Sequence, residues 1–281
     1  MVITGETEVY GIFGYPVKHS KSPVFQNSAF SYLNINAVYV PFEVRPEELK
    51  EAVEGLRALN IKGVNITIPH KEEVVKYIDE LSEEVKFIKA SNTIKNVNGK
   101  LYAYNTDAYG FITGLRLLEP NITDKVALVI GAGGASRAVV YSLLKENIKN
   151  VILANRNINR AENLKSDFKN LSKEFGEKIN IIKISDIEDN LSKVDIIVNT
   201  TPIGLKKDDK PIFNYDKLEK RHIVVDIVYK KTPLLQVAEK KGCKWQDGYP
   251  MLIYQGAKSF EIWTGKKAPI EIMKKALNVS F

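Results

Sequence analysis

The sequence predicts an α/β protein of two domains, on three observations. Short apolar runs alternate with helix-length amphipathic segments along nearly the whole chain, as strands do when helices cross over between them. The alternation starts afresh after Pro120, where a strand runs into the glycine-rich turn GAGGAS at 131–136. A length of 281 residues also exceeds the usual single domain. The expected boundaries are an N-terminal domain over 1–107, a central domain over 108–243 and a C-terminal helical segment over 244–281.

Taken in order, VYGIFG (9–14) reads as a strand, SPVFQNSAFSYLN (22–34) as a helix and AVYVPFEV (37–44) as a strand. PEELKEAVEGLRALN (46–60) is a helix with proline in its first turn. GVNITIP (63–69) is a strand, and KEEVVKYIDELSEEVKFI (71–88) reads as mostly helical. ASNTIKNVNGKLYAYNTD (90–107) reads as a hairpin turning at Asn98-Gly99. A mostly parallel sheet is expected from this alternation. A helix over 108–118 then leads to the strands KVALVIG (125–131), VILANR (151–156), INIIKIS (179–185), VDIIVNT (194–200) and HIVVDIV (222–228). The first of these five is followed by the helix ASRAVVYSLLKEN, and the chain closes with helices over 248–265 and 268–277, the last begun by Pro269.

Composition narrows the function classes. With 44% hydrophobic and 27% charged residues, the chain has the balance of a globular protein with a full core. It lacks an apolar run long enough to span a bilayer. Its first residues, MVITGETEVYGIFG, do not show the basic start, apolar core and small-residue cleavage site of a secretory signal. A cytoplasmic location is expected. The single cysteine, Cys243, rules out an internal disulfide and a cysteine metal cluster, and reads as a small buried residue. A net charge of +7 raises the question of nucleic acid, but the basic residues are dispersed among acids, as over 71–89. They read as a solvated surface that helps attract anionic small molecules. No metal is expected, since His and Cys do not cluster.

In GAGGAS, Gly131 allows a tight turn, Gly133 lets the backbone approach a pyrophosphate, and Ala135 permits close helix packing. The helix that follows offers free N–H groups and its positive dipole end. A strand before and a helix after favour dinucleotide binding over a plain tight turn, although Ser136 departs from the commonest G-x-G-x-x-G pattern. The next strand ends in Asn155-Arg156-Asn157, with Arg160 close by and no acid before Glu162. An acid there binds a ribose 2′-hydroxyl and repels a 2′-phosphate, whereas a guanidinium pairs with the phosphate. NADP is therefore favoured over NAD.

In the N-terminal half, Ser20 and Ser22 of GYPVKHSKSP lie at a helix start, a place for a bound carboxylate or for ordinary capping. NITIPHK puts Asn65, Thr67 and Lys71 at the carboxyl edge of the sheet. Lys71 alone reads as a solvated lysine in preference to a general acid or base, and His70 reads as structural. SNT (91–93) and NTD (105–107) bring small hydrogen-bonding side chains to strand ends, and Asp107 alone could simply cap the next helix. Together, Lys71, Asn92 and Asp107 suggest a site for a polyol or hydroxy acid.

Eight segments in this order, GYPVKHSKSP, NITIPHK, ASNT, NTDAYG, GAGGASRA, ANRNINRAE, NTTPIG and YPMLIYQGA, resemble the shikimate dehydrogenases from about Gly11 to Lys267. The resemblance implies a substrate-binding N-terminal α/β domain, a Rossmann NADP-binding domain, an active site in the cleft between them, and C-terminal helices that return to the first domain. It implies reversible NADP-dependent reduction of 3-dehydroshikimate to shikimate, within aromatic amino acid biosynthesis. By matching motif, Ser20 and Ser22 should bind the substrate carboxylate, with Thr67, Lys71, Asn92, Asp107 and Gln255 around the ring hydroxyls. Lys71 should exchange the proton beside Asp107, and Tyr229 should face the substrate. Glu83, Gly131, Ala132, Gly133, Gly134, Ala135, Asn155, Arg156, Asn157, Arg160, Thr201, Ile227 and Gly248 should contact NADP. Two departures stand out: Gln26 replaces the family's usual histidine, and only Lys230 and Lys231 separate Tyr229 from Thr232. A quinate/shikimate dehydrogenase and a non-catalytic NADP-binding regulator are the alternatives on this fold. A monomer or homodimer is expected, with no nucleic acid or membrane partner.

Overall fold

The computed structural model of the protein describes residues 2–206 and 208–281. These form two compact units, one combining the chain up to Gly110 with Leu252–Phe281, the other Phe111–Met251. The first unit starts with β1 (Glu8–Gly14), α1 (Ser22–Tyr32), β2 (Ala37–Glu43), α2 (Leu49–Ala58) and β3 (Gly63–Ile66). It continues with β4 (Glu80–Leu81), α3 (Glu83–Ile88), β5 (Thr93–Val97) and β6 (Lys100–Tyr104), and α4 (Asp107–Leu118) leads out of it.

Its strands follow the order β2-β1-β3-β5-β6-β4. This sheet joins the parallel strands expected from the alternation, with β4 also parallel to β6, to the antiparallel hairpin expected over 90–107. β1 runs parallel to β2 and β3, but β5 is antiparallel to both β3 and β6. Asn98 at φ 52° and Gly99 at φ 88° reverse the chain within two residues, which allows only an antiparallel return. Residues 71–88 differ from the expected helix: a 3-10 turn over Glu73–Tyr77 gives way to β4 and then α3. Asp79 accepts from the Leu101 N–H at 2.7 Å and pairs with Arg57 at 2.8 Å, holding the chain extended beside β6. Ser82 then caps a new helix by accepting from Val85 N at 3.4 Å.

The second unit contains β7 (Val126–Ile130), α5 (Gly134–Lys145), β8 (Asn150–Ala154), α6 (Ile158–Leu171), α7 (Lys173–Glu177) and β9 (Ile179–Ile182). After these come α8 (Ile187–Asn190), β10 (Ile196–Asn199), β11 (Ile223–Asp226), α9 (Pro233–Lys240) and β12 (Lys244–Gln246). The strand order is β12-β11-β10-β7-β8-β9, with every pairing parallel. This is the Rossmann order, in which the chain reverses direction between β7 and β10. β10 and β11 are buried along their whole length, as strands covered by helices on both faces must be. The sequence reading passed over β12, whose Lys-Trp-Gln is too short to show a period, and α9, which begins at the Thr232 cap.

α10 (Tyr249–Thr264) carries the chain back to the first unit, where α11 (Ile270–Ala276) follows. Phe260 packs on Phe30 of α1 with ring centroids 5.2 Å apart, and Trp263 donates to the Ile94 carbonyl at 2.9 Å. Phe30 and Phe260 are both fully buried, each stabilising the fold by about 1.5–3 kcal/mol. Gln26 ties the same two helices together, its Nε2 donating to the Gly256 carbonyl at 2.9 Å. On the other side of the sheet, Leu49, Val53 and Leu56 of α2 pack over Val64, Ile66, Ile94 and Leu101. Among the described residues no helix is long and apolar enough to cross a membrane.

Candidate active site

Lys71 sits in the turn after β3, with its backbone anchored on both sides. His70 N donates to Thr67 O at 3.0 Å, the buried His70 ring places Nε2 2.8 Å from Val44 O, and Lys71 O accepts from Ser91 N at 2.8 Å. Lys71 Nζ extends to Asp107 Oδ2 at 2.5 Å, with the two side chains only 16% and 5% exposed. The capping alternative for Asp107 fails for a local reason. Asn105 Oδ1 accepts from Asp107 N at 3.1 Å and Ala108 N at 3.4 Å, so Asn105 serves the helix start and the Asp107 carboxylate is left for Lys71.

Asn92 holds the other side of that carboxylate. Its Nδ2 donates to Asp107 Oδ1 at 2.9 Å and to Gln255 Oε1 at 3.1 Å, while its Oδ1 accepts from Thr106 N at 2.7 Å. Behind it lies a buried network that the sequence reading largely missed. Ser259 Oγ lies 2.7 Å from Thr93 Oγ1 and 3.0 Å from Thr106 Oγ1, and accepts from Asn65 Nδ2 at 3.0 Å. Asn65 Oδ1 in turn accepts from the Tyr39 hydroxyl at 2.8 Å. Burial pushes that hydroxyl well above the ordinary tyrosine range, against a hydrogen bond with Ser22 that pulls it down. Ser22 is buried, and its N–H donates to Ser20 Oγ at 3.3 Å. Thr67 sits half-buried at the end of β3, its methyl filling the space a side chain at Gly14 would need. The structure thus brings Lys71, Asp107, Asn92 and Gln255 into direct contact and links Ser22 to them through Tyr39 and Asn65. Thr93, Thr106 and Asn105 lay within the quoted SNT and NTD segments; Tyr39 and Ser259 gave no local signal. A lysine–aspartate pair with neutral hydrogen-bonding neighbours suits proton exchange with a hydroxyl on a polyol.

In the second unit, Gly131 adopts φ 117°, and a side chain there would approach Thr200 Oγ1 to 2.5 Å. Ser136 Oγ lies 2.5 Å from the same Thr200 oxygen, tying the turn after β7 to the end of β10. Around Gly133 a Cβ would meet open space. Gly134 and Ala135 are half-buried in the first turn of α5, and Ala132 is buried behind them. An open backbone cradle with free first-turn N–H groups can take a pyrophosphate. At the end of β8, Asn155 Nδ2 donates to Asn157 O at 2.7 Å, and Asn157 Oδ1 caps α6 by accepting from Arg160 N at 3.4 Å. Arg156 and Arg160 are exposed there.

Thr201 follows β10, its Oγ1 donating to Asn199 Oδ1 at 2.7 Å. Ile227 follows β11, its N–H donating to Asn199 O at 3.1 Å. Gly248 lies so close to the Ile227 carbonyl that a side chain would collide with it. Tyr229 is 44% exposed, with its ring centroid 6.0 Å from that of Tyr249. These positions gather at the carboxyl ends of β7, β8, β10, β11 and β12, one edge of one sheet. Glu83 belongs to the first unit, exposed in the first turn of α3 and 2.6 Å from Lys86.

Three segments match family models: residues 12–94 the shikimate dehydrogenase substrate binding domain, 115–229 shikimate / quinate 5-dehydrogenase, and 248–277 the shikimate 5′-dehydrogenase C-terminal domain. A shikimate dehydrogenase (NADP(+)) from Aquifex aeolicus is 47% identical over 276 residues, 98% of each chain. A crystal structure of a shikimate dehydrogenase in complex with NADP+ superposes with a TM-score of 0.92 at 42% identity, covering 99% of this chain and 96% of that one. A shikimate 5-dehydrogenase from Listeria monocytogenes, in complex with shikimate and NAD, gives 0.89 at 35% identity and 98% of each chain.

Proposed function

The chain belongs to the shikimate dehydrogenase family, and we propose that it catalyses the reversible NADP-dependent reduction of 3-dehydroshikimate to shikimate, a step of aromatic amino acid biosynthesis. One observation carries the reading: Lys71 Nζ stands 2.5 Å from Asp107, and Asn92 holds that carboxylate from its other side. The pair lies in the unit that matches the substrate-binding domain. We assign the substrate carboxylate to Ser20 and Ser22, and the ring hydroxyls to Thr67, Asn92 and Gln255.

The second unit fits the cofactor. The open space at Gly133 and the first turn of α5 take the pyrophosphate, and Arg156, exposed at a strand end without an acid, takes the 2′-phosphate. NADP, when bound, supplies or takes up the hydride at the carbon bearing the reacting oxygen. In the reductive direction that oxygen gains negative charge, which the Lys71 ammonium stabilises before giving up its proton to it. Asp107 holds Nζ in place throughout, and in the oxidative direction neutral Lys71 accepts the hydroxyl proton. Ser20 and Ser22, by fixing the carboxylate, set which ring carbon faces Lys71; positioning of this kind supplies several kcal/mol. We place the enzyme in the reducing cytoplasm, as a monomer or homodimer, where its buried free Cys243 stays a thiol.

The test is turnover by the purified protein with shikimate and NADP+, against shikimate with NAD+ and quinate with NADP+. The highest kcat/KM is expected for shikimate with NADP+. A preference for quinate or NAD+ would move the protein to the corresponding neighbour in the family. No turnover with any pair would leave an NADP-binding regulator.

A further inference from the structure

We infer that Asp226 is a positioning residue for the cofactor edge of the second unit: its carboxylate clamps the loop after β10 to the loop after β11, keeping Thr201, Ile227 and Gly248 in register for NADP. The inference rests on the proposed function only in taking NADP as the ligand of that edge.

Asp226 is the last residue of β11 and has no solvent exposure. Its Oδ2 accepts from Thr232 Oγ1 at 2.7 Å. Oδ1 accepts from Val228 N and from Asn199 Nδ2, each at 3.1 Å. Asn199 ends β10 and passes the connection on. Its Oδ1 accepts from both the N–H and the hydroxyl of Thr201, at 3.0 and 2.7 Å, and its Nδ2 also donates to Ile203 O at 3.1 Å. The backbone repeats the tie, since Ile227 N donates to Asn199 O at 3.1 Å and Gly248 N to Val228 O at 3.0 Å. Gly204, at φ 103°, packs against the same Thr232 that bonds Asp226. One carboxylate therefore reaches the segments after β10, β11 and β12 within two hydrogen bonds.

The energetics argue against a filler role. Burial pushes the Asp226 carboxyl up, as does the negative charge of Asp247, against the pull of its hydrogen bonds from Thr232, Val228 and Asn199; among the described residues no cation offsets this. A buried carboxylate without a cation destabilises a fold relative to an apolar residue of similar size. What it provides instead is two acceptor oxygens that take three directed hydrogen bonds, at a place where two loops must be held at fixed separation. A local cost of this kind marks a site where geometry counts above stability.

The experiment measures dissociation constants for NADP+ and for shikimate by calorimetry on purified full-length Asp226→Ala, Asp226→Asn and Thr232→Val. Asparagine keeps the acceptor facing Val228 and Asn199 and can donate to Thr232, so it should rescue the alanine variant. Asp226→Ala is expected to weaken NADP+ about tenfold or more, Asp226→Asn by no more than about threefold, with shikimate affinity unchanged in both. NADP+ affinity within about twofold of wild type in Asp226→Ala overturns the proposal, as does an equal loss for shikimate. Should Asp226→Ala fail to fold, Thr232→Val decides: about threefold weaker NADP+ supports the clamp, and unchanged NADP+ refutes it. Because these are binding constants, absence of shikimate turnover in the wild type would count against the proposed reaction and leave the clamp standing.

Discussion

If Lys71 and Asp107 act as one unit, removing both should cost far less than the product of the single losses. Lys71→Ala deletes the proton donor, and a positioned acid or base contributes about 100-fold or more, equivalent to about 2.7 kcal/mol of barrier. Asp107→Ala leaves Lys71 Nζ without the carboxylate 2.5 Å away, in a pocket where the lysine is 16% exposed and water is a poor substitute. A loss of about 10- to 100-fold follows from misplacement of the ammonium alone. Independent roles would multiply to about 1,000-fold or more, whereas a single unit should leave the double variant near the Lys71→Ala level. Lys71→Ala also strands a buried carboxylate, for which about 3–5 kcal/mol of stability is the upper end, lessened because Asn92 still donates to Asp107 at 2.9 Å. The assay is kcat at saturating shikimate and NADP+, run well below each variant's melting temperature, with NADP+ affinity as a check on the second unit. Near wild-type turnover in Lys71→Ala would remove the lysine from the mechanism. Strictly multiplicative losses would keep both roles and dissolve the partnership.

Three further outcomes are expected. Arg156→Ala should raise KM for NADP+ far more than KM for NAD+, and equal effects would refute 2′-phosphate recognition by this exposed guanidinium. Replacing Ser20 and Ser22 together by alanine should weaken shikimate about tenfold by calorimetry with NADP+ affinity nearly unchanged; normal shikimate binding would make the serines structural. The third concerns pH and Asp247, whose carboxyl is pushed up by burial against a hydrogen bond from Tyr249 N. A carboxyl raised in the folded state holds its proton longer there than in the unfolded chain, so stability falls as pH rises from about 3.9 to the raised value. Asp247→Asn should therefore gain melting temperature relative to wild type across that window, and a pH-independent difference would refute the assignment.

What could be read in the sequence was what is local. GAGGAS lies between its strand and its helix, and Asn98-Gly99 marks its own reversal, so each announces its geometry within a few residues. The segment 71–88 failed for the opposite reason. Its charges suit a helix, but Asp79 bonds the N–H of Leu101, and a partner so distant in sequence outcompetes local propensity. The two readings open for Asp107 were separated by its neighbour: Asn105 caps α4, and no property of Asp107 itself could have shown that. Lys71 was likewise undecidable alone, because the turn that aims it is held by Val44 and Ser91, from two other segments.

α10 shows why the remainder of the site stayed hidden. Gln255 and Ser259 are four residues apart and so share one helical face. In a helix as apolar as YPMLIYQGAKSFEIWT, polar residues are expected on the outer face. Here Ser259 is fully buried and Gln255 nearly so, because oxygens and nitrogens of Asn65, Asn92, Thr93 and Thr106 wait on the inner side. A buried polar residue is tolerated only when its partners are already in place, and these partners come from β3, β5 and the turn before α4. The polar face of α10 thus becomes intelligible only once the sheet has assembled. The same holds for Asn199 and Asp226, whose bonds join the ends of two neighbouring strands. Both units place most of their candidate functional groups near strand ends and secure them with buried amide and hydroxyl side chains from neighbouring segments. The loop residues can be read from motifs; the residues that secure them need the topology.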